Sequence, residues 1–306
     1  MERNDETNRA FRQIEKFARV LHPKEAEEPI LAKPVRAAIY EWLTELNAAD
    51  ELAAIKVKPR RTALLYGPPG TGKTTLAHHL AARLGVPLIA VQSEQLVDSH
   101  LGATGKNIAI LFDAMDVIGD NAICLFDEID AIGSSRSNDD QACAREMNAA
   151  LTTILTRIEQ FKGVALAATN RRESLDPALW RRFGMQIEVA LPGFNERYAI
   201  LARYLDPMSL PDADMAVLAE LTEGASPSLL EQMMHGIKRT LTLAKRLRSD
   251  VSKPEAVFET VLATISPPHE MPQPRLWSSD HRKSALEQIS GISWPPTTIE
   301  FKESAE

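Results

Sequence analysis

The stretch Gly67-Pro68-Pro69-Gly70-Thr71-Gly72-Lys73-Thr74 has the spacing G-x-x-x-x-G-K-T between an apolar strand-like run, Thr62 to Tyr66, and a helical pattern. In that context it predicts a phosphate-binding loop. Glycines let backbone N–H groups close around phosphate oxygens, and the helix beginning near Gly72 points its positive end at them. Lys73 is then in reach of the β and γ phosphates of a nucleotide. The Thr74 hydroxyl is positioned to hold Mg²⁺, and Thr75 follows it on the same helical turn.

Hydrolysis needs an acid beside the phosphates. Ile123-Cys124-Leu125-Phe126 reads as a buried parallel strand, and Asp127-Glu128 follows it. Carboxylates there emerge at the edge where open α/β sheets bind ligands. Asp127 would complete the Mg²⁺ shell and Glu128 would activate water, which disfavours transfer to an acceptor as in a small-molecule kinase. A third run, Val164 to Thr169, ends at Asn170, whose amide can donate to a γ-phosphate and orient the attacking water. Eleven residues further on stand Arg181 and Arg182. They are too far along to serve their own loop, and are expected to reach a neighbour's γ-phosphate as an arginine finger.

These motifs, with Thr169-Asn170-Arg171, Leu175-Asp176-Pro177-Ala178-Leu179 and Arg181-Arg182-Phe183, resemble the AAA+ ATPases. The likeness is to the AAA clade that includes the microtubule-severing and proteasomal ATPases, and it covers about residues 55 to 265. The resemblance implies an α/β P-loop NTPase with a five-stranded parallel sheet and a C-terminal four-helix lid. It also implies a homo-oligomeric, hexameric ring with ATP sites shared between neighbours, working mechanically on a polymer. Two positions depart from the pattern. His100-Leu101-Gly102 stands where the family has an aromatic-hydrophobic-glycine pore tripeptide, and Met185-Gln186 stands where a further basic residue often follows the arginine pair. Gly224-Ala225 matches the place where the family's lid touches nucleotide, and Tyr204 the place of a residue packed near adenine.

The expected organisation is N-terminal helices and linker at 1–58, a nucleotide-binding α/β part at 59–193, a helical lid at 194–265 and a Pro-rich tail at 266–306. Phe11, Ile14, Phe17, Ala18 and Leu21 recur at helical spacing up to Pro23, as do Val35, Ile39, Trp42, Leu43 and Leu46. The first helix either packs on the core or docks a partner; the second packs on the core and leads into it through Pro59. The lid helices are expected at Asn195 to Leu205, near Asp214 to Leu221, at Pro227 to about Leu247 with Ser226 as cap, and at Lys253 to Thr264. In the tail, Pro267, Pro268, Pro272, Pro274, Pro295 and Pro296 break any helix, and Trp277 and Trp294 serve as anchors. An extended strap against the lid or a neighbouring subunit is expected, or else a partner-binding peptide.

Thirty-five basic against 42 acidic residues give a net charge of −7, which leaves nucleic-acid binding unsupported. The basic run Lys238-Arg239, Lys245-Arg246 and Arg248 reads as a solvated or intersubunit helix face. Two cysteines without metal-type spacing suit a reducing cytoplasm. No long apolar run indicates a membrane span, and the charged start has no signal-peptide core. The expectation is a cytoplasmic, Mg-dependent ATPase ring that remodels, unfolds or disassembles a protein through its central pore. The competing expectation is a nucleotide-controlled switch on a dedicated protease or nuclease; a DNA-associated loader ranks last.

Overall fold

The computed structural model describes residues 2–96, 103–129, 141–172, 180–268 and 272–298. They form two compact units: Met1–Pro29, Lys33–Pro68 and Gly72–Val189 in the first; Ile30–Ala32, Pro69–Thr71 and Ala190–Glu306 in the second.

The first unit is built on a sheet whose parallel strands are β2 (Thr62–Tyr66), β3 (Leu88–Val91), β4 (Ile123–Phe126), β5 (Val164–Thr169) and β6 (Met185–Glu188). With β1 (Ala18–Leu21) at one edge, their order is β1-β3-β4-β5-β2-β6. Every residue of β4 and β5 is buried, as expected of strands covered on both faces. Five parallel strands agree with the number the resemblance implies, and β2, β4 and β5 lie where the sequence places them; β1 is a sixth that sequence periodicity assigns to a helix. Helix α1 (Glu2–Ile14) stops before it. Residues 18–21 pair antiparallel with β3, from Ala18 opposite Val91 to Leu21 opposite Leu88. Phe17 extends the contact, its carbonyl accepting the N–H of Gln92 at 2.9 Å. Covering the bare N–H and C=O groups of an edge strand outweighs a few residues of helical spacing. Ala10 and Ile14 of α1 join the core with Ile108, Leu111 and Met115 of α6 (Ala103–Ile118), so this helix packs on its own domain.

Helix α2 (Lys33–Asn47) fixes the approach to β2. The fully buried Trp42 donates its indole N–H to the Arg60 carbonyl at 2.7 Å. Glu45 accepts the Arg60 N–H at 2.6 Å and the guanidinium Nε and Nη2 at 2.7 and 2.5 Å. Backbone and side chain of the residue leading into β2 are thus gripped by one carboxylate.

The second unit contains α8 (Phe194–Leu205), α9 (Asp212–Leu221), α10 (Pro227–Leu247) and α11 (Pro254–Leu262). Ser226 caps α10, its Oγ accepting the Leu229 N–H at 3.3 Å, with Pro227 as the first helical residue. The tail is not extended throughout. Between Pro274 and Pro295 the chain is free of proline and forms α12 (Ser279–Ile289), with Leu276, Ala285 and Ile289 in the core of this unit. Trp277 donates to the Ile265 carbonyl at 3.0 Å and Trp294 to that of Val251 at 2.8 Å. Thr297–Thr298 then pairs with Met208–Ser209. Among the described residues, no helix is long and apolar enough to cross a membrane.

The Arg60 bonds hold the Glu45 carboxyl below its ordinary pKa. A lowered folded pKa stabilises at neutral pH, and the gain is lost as pH falls through the acid range. Glu45→Gln should therefore lower Tm by about 2–4 °C at pH 7, a loss of about 1 kcal/mol. The difference from the parent should shrink progressively as pH falls through the acid range; a difference that stays unchanged with pH would refute the charge-based explanation.

Candidate nucleotide site

Tyr66 ends β2 with its carbonyl accepting the Val189 N–H at 2.8 Å, and the chain turns at once. Gly67 has φ +148°, and a Cβ on it would lie 2.2 Å from the Val189 carbonyl oxygen. No other residue fits that approach. Gly70 and Gly72 also have positive φ, +74° and +89°. Gly70 packs against the start of α10: its carbonyl accepts the Ser228 N–H at 3.2 Å, and an added Cβ would meet Ser228 Oγ at 2.3 Å. Gly72 caps α4 (Lys73–Arg83), whose first-turn amides therefore open toward the loop without a side-chain cap. Lys73 is only 7% exposed, and its ammonium donates to the carbonyls of Gly67 at 2.9 Å and Pro68 at 2.8 Å. Thr71 is buried, Thr75, Pro68 and Pro69 half-buried, and Thr74 exposed.

Parallel register brings the other groups to the same edge. Tyr66 lies opposite Thr169 across β2 and β5, and Phe126 opposite Ala167 across β4 and β5. The residues following Tyr66, Phe126 and Thr169 consequently leave the sheet together. Thr74 Oγ1 donates to Asp127 Oδ2 at 2.5 Å, and the other carboxylate oxygen accepts the Glu128 N–H at 3.0 Å. Glu128 has φ +50°, a left-handed conformation that costs a non-glycine residue about 1–3 kcal/mol and concentrates at functional sites. Its carboxylate, exposed at the strand end, is 3.5 Å from Asn170 Nδ2.

This geometry fits a nucleotide triphosphate with its cation. Three positive-φ glycines, a helix start and a tethered ammonium suit phosphate oxygens, and a hydroxyl beside a carboxylate gives the hard oxygen donors that Mg²⁺ takes. Cys124 stands apart from this chemistry: burial pushes its thiol pKa up, and its Sγ lies 3.4 Å from Met115 Sδ.

The two arginines differ. Arg181 is exposed, whereas Arg182 is half-buried and reaches Thr156 Oγ1 at 3.3 Å and Glu159 at 3.5 Å on α7 (Gln141–Gln160) of its own chain. In the second unit, Tyr204 packs edge-on to His235 with ring centres 5.4 Å apart. Gly224, φ +82°, lies against Pro274, with an added Cβ 3.5 Å from its Cα, and Ala225 is fully buried. Those contacts give Tyr204, Gly224 and Ala225 packing roles. His100, Leu101 and Gly102 lie outside the described residues, as does Leu175 to Leu179. Ser228 escaped the sequence reading; the only signal was a second serine in the first turn of a capped helix.

The model of the family described as "ATPase family associated with various cellular activities (AAA)" matches residues 63–191. The proteasome-activating nucleotidase of Thermococcus onnurineus is 36% identical over 239 residues, 69% of this chain and 56% of that protein. The corresponding nucleotidase of Pyrococcus abyssi is 39% identical over 211 residues, 60% of this chain and 50% of that one. The ATP-dependent zinc metalloprotease FtsH of Lachnoclostridium phytofermentans is 34% identical over 249 residues, 76% of this chain and 41% of that protein. The chain thus spans about half the length of the relatives it matches.

Gly67→Ala, pressed into the Val189 carbonyl, should cost about 1–3 kcal/mol of stability and abolish binding of a fluorescent ATP analogue. Gly85 also has positive φ, +73°, but a Cβ there meets nothing within 4 Å. Gly85→Ala should lower Tm modestly with binding intact; equal binding by both variants would show that the loop tolerates a side chain.

Proposed function

Because the chain belongs to the AAA family of ATPases, we propose that it is a Mg-dependent ATPase whose ring-shaped homo-oligomer, a hexamer, remodels or unfolds a protein substrate in the cytoplasm. The observation that carries the reading is the convergence of Lys73, the Thr74–Asp127 pair and the Glu128–Asn170 pair at the ends of three adjacent parallel strands. A protein substrate is supported by the relatives, whose names tie them to the proteasome and to ATP-dependent proteolysis.

Each residue has a defined task on this reading. The amides after Gly67, Gly70 and Gly72 and the Lys73 ammonium bind the β and γ phosphates. Thr74 Oγ1 and Asp127 would hold Mg²⁺, which would supply positive charge to offset that of the phosphates. The Asp127 carboxylate also accepts the Glu128 N–H, fixing the turn from which Glu128 projects. Glu128 takes a proton from the attacking water, and Asn170 keeps that carboxylate oriented while facing the γ-phosphate. Arg181, exposed, reaches across to a neighbouring subunit's phosphate. Arg182, tied to Thr156 and Glu159, holds the segment that presents it. This divides between two residues the finger role that the sequence assigned to both. Following the family resemblance, Tyr204, Gly224 and Ala225 are nucleotide-contacting residues of the lid, and His100-Leu101-Gly102 grips substrate in the pore.

Glu128→Gln should bind ATP as the parent does and assemble with it, yet lose about 10²- to 10⁴-fold in phosphate release; near-normal hydrolysis would sink the assignment. Lys73→Ala should lose binding itself. Mixed Arg181→Ala and Glu128→Gln subunits should recover turnover above either alone, because a Glu128→Gln subunit still donates Arg181 to an intact neighbouring site. No recovery at any ratio would argue against shared sites.

A further inference from the structure

Arg172 lies two residues beyond Asn170, and its guanidinium carbon sits 5.1 Å from the centre of the Tyr66 ring and 5.3 Å from that of Trp180. The two rings are 4.9 Å apart and tilted by 58°. One cation therefore faces a pair of aromatic rings, within the roughly 6 Å at which the ring quadrupole attracts it. The origins of the three residues matter more than the contact itself. Tyr66 is the last residue before Gly67. Arg172 follows Asn170 and Arg171, and the Arg171 N–H is held by Thr169 Oγ1 at 3.0 Å. Trp180 immediately precedes Arg181.

Among the described residues, the Trp180 segment is held in three ways: through its backbone, through its ring contacts and by packing against the core of the first unit. Gln186 of β6 donates to the carbonyls of Trp180 at 3.0 Å and Phe183 at 2.7 Å, which holds the backbone of the turn. The indole ring is half-buried and rests on Tyr66 and Arg172. Tyr66, at the start of the loop, and Arg172, beside the Asn170 strand end, thus both contact the residue before Arg181.

We infer that Arg172 is a positioning residue: stacked on Tyr66 and Trp180, it sets the reach of Arg181 according to the state of the phosphate loop and the Asn170 strand end. This rests on the reading in which Arg181 acts on a neighbouring subunit's site. A planar guanidinium suits the role because it lies flat against a ring, which the compact ammonium of lysine does not.

The test is a cycle of Arg172→Ala, Arg181→Ala and the double variant, assayed for steady-state ATP turnover, nucleotide affinity and Tm in the full chain. Arg172→Ala should lower kcat about tenfold, with ATP affinity changed less than about twofold and Tm by less than about 2 °C. In the Arg181→Ala background it should have no further effect, since its action passes through that arginine. Arg172→Lys should recover part of the loss, which a purely electrostatic surface role would restore in full. Normal turnover in Arg172→Ala, a loss confined to ATP affinity, or full multiplication of the two single losses would overturn the inference while leaving shared sites standing. Normal turnover in Arg181→Ala alone would instead remove the shared-site reading, and the inference with it.

Discussion

Strand β2 lies between β5 and β6 in parallel register, and that register determines where the phosphate loop can begin. Because Tyr66 is opposite both Thr169 and Glu188, the loop leaves the sheet beside the Asn170 strand end and against the backbone of Val189. The 2.2 Å that a Cβ at Gly67 would leave to the Val189 carbonyl expresses this constraint in one distance. Upstream, the grip of Trp42 and Glu45 on Arg60 fixes how the chain enters the same strand. Both ends of β2 are thus held by contacts that do not themselves belong to the site.

From that placement the chemistry follows with little further adjustment. Asp127 serves two masters at once, accepting the Thr74 hydroxyl with one oxygen and the Glu128 amide with the other. The second bond holds Glu128 in its left-handed turn, so the strain at the proposed general base is supported by the carboxylate proposed to hold the metal. Removing Asp127 would accordingly disturb two functions, whereas replacing Glu128 by its amide leaves the turn in place. Arg181 and Arg182 show a similar division, the half-buried Arg182 tied to its own chain and Arg181 exposed.

Much of this was legible from residue order. Gly67 to Thr74 between a strand and a helix has few physical interpretations, and an apolar run ending in Asp127-Glu128 needs both faces covered. Other features were hidden for stated reasons. Phe17 to Leu21 satisfies a helical spacing as well as a strand, and only the open edge of β3 decides between them. Helix α12 was masked by its flanking prolines, although the stretch between them has none. Ser228 against Gly70, and Arg172 against Tyr66 and Trp180, join segments far apart in the chain, and no local pattern announces such contacts. Adjacent arginines gave no hint that Glu159 would take one of them.

If Lys73, Asp127 and Glu128 form a hydrolytic site completed by a second copy of the chain, turnover depends on both the cation and assembly. Phosphate release from ATP should be followed at saturating nucleotide over a wide range of protein concentration, with Mg²⁺ and with the cation chelated. Release should require Mg²⁺, and the rate per subunit should rise with concentration to a plateau as shared sites assemble. Release that persists without the cation, or a measurable rate per subunit that stays constant down to dilutions at which the chain is monomeric, would contradict such a site.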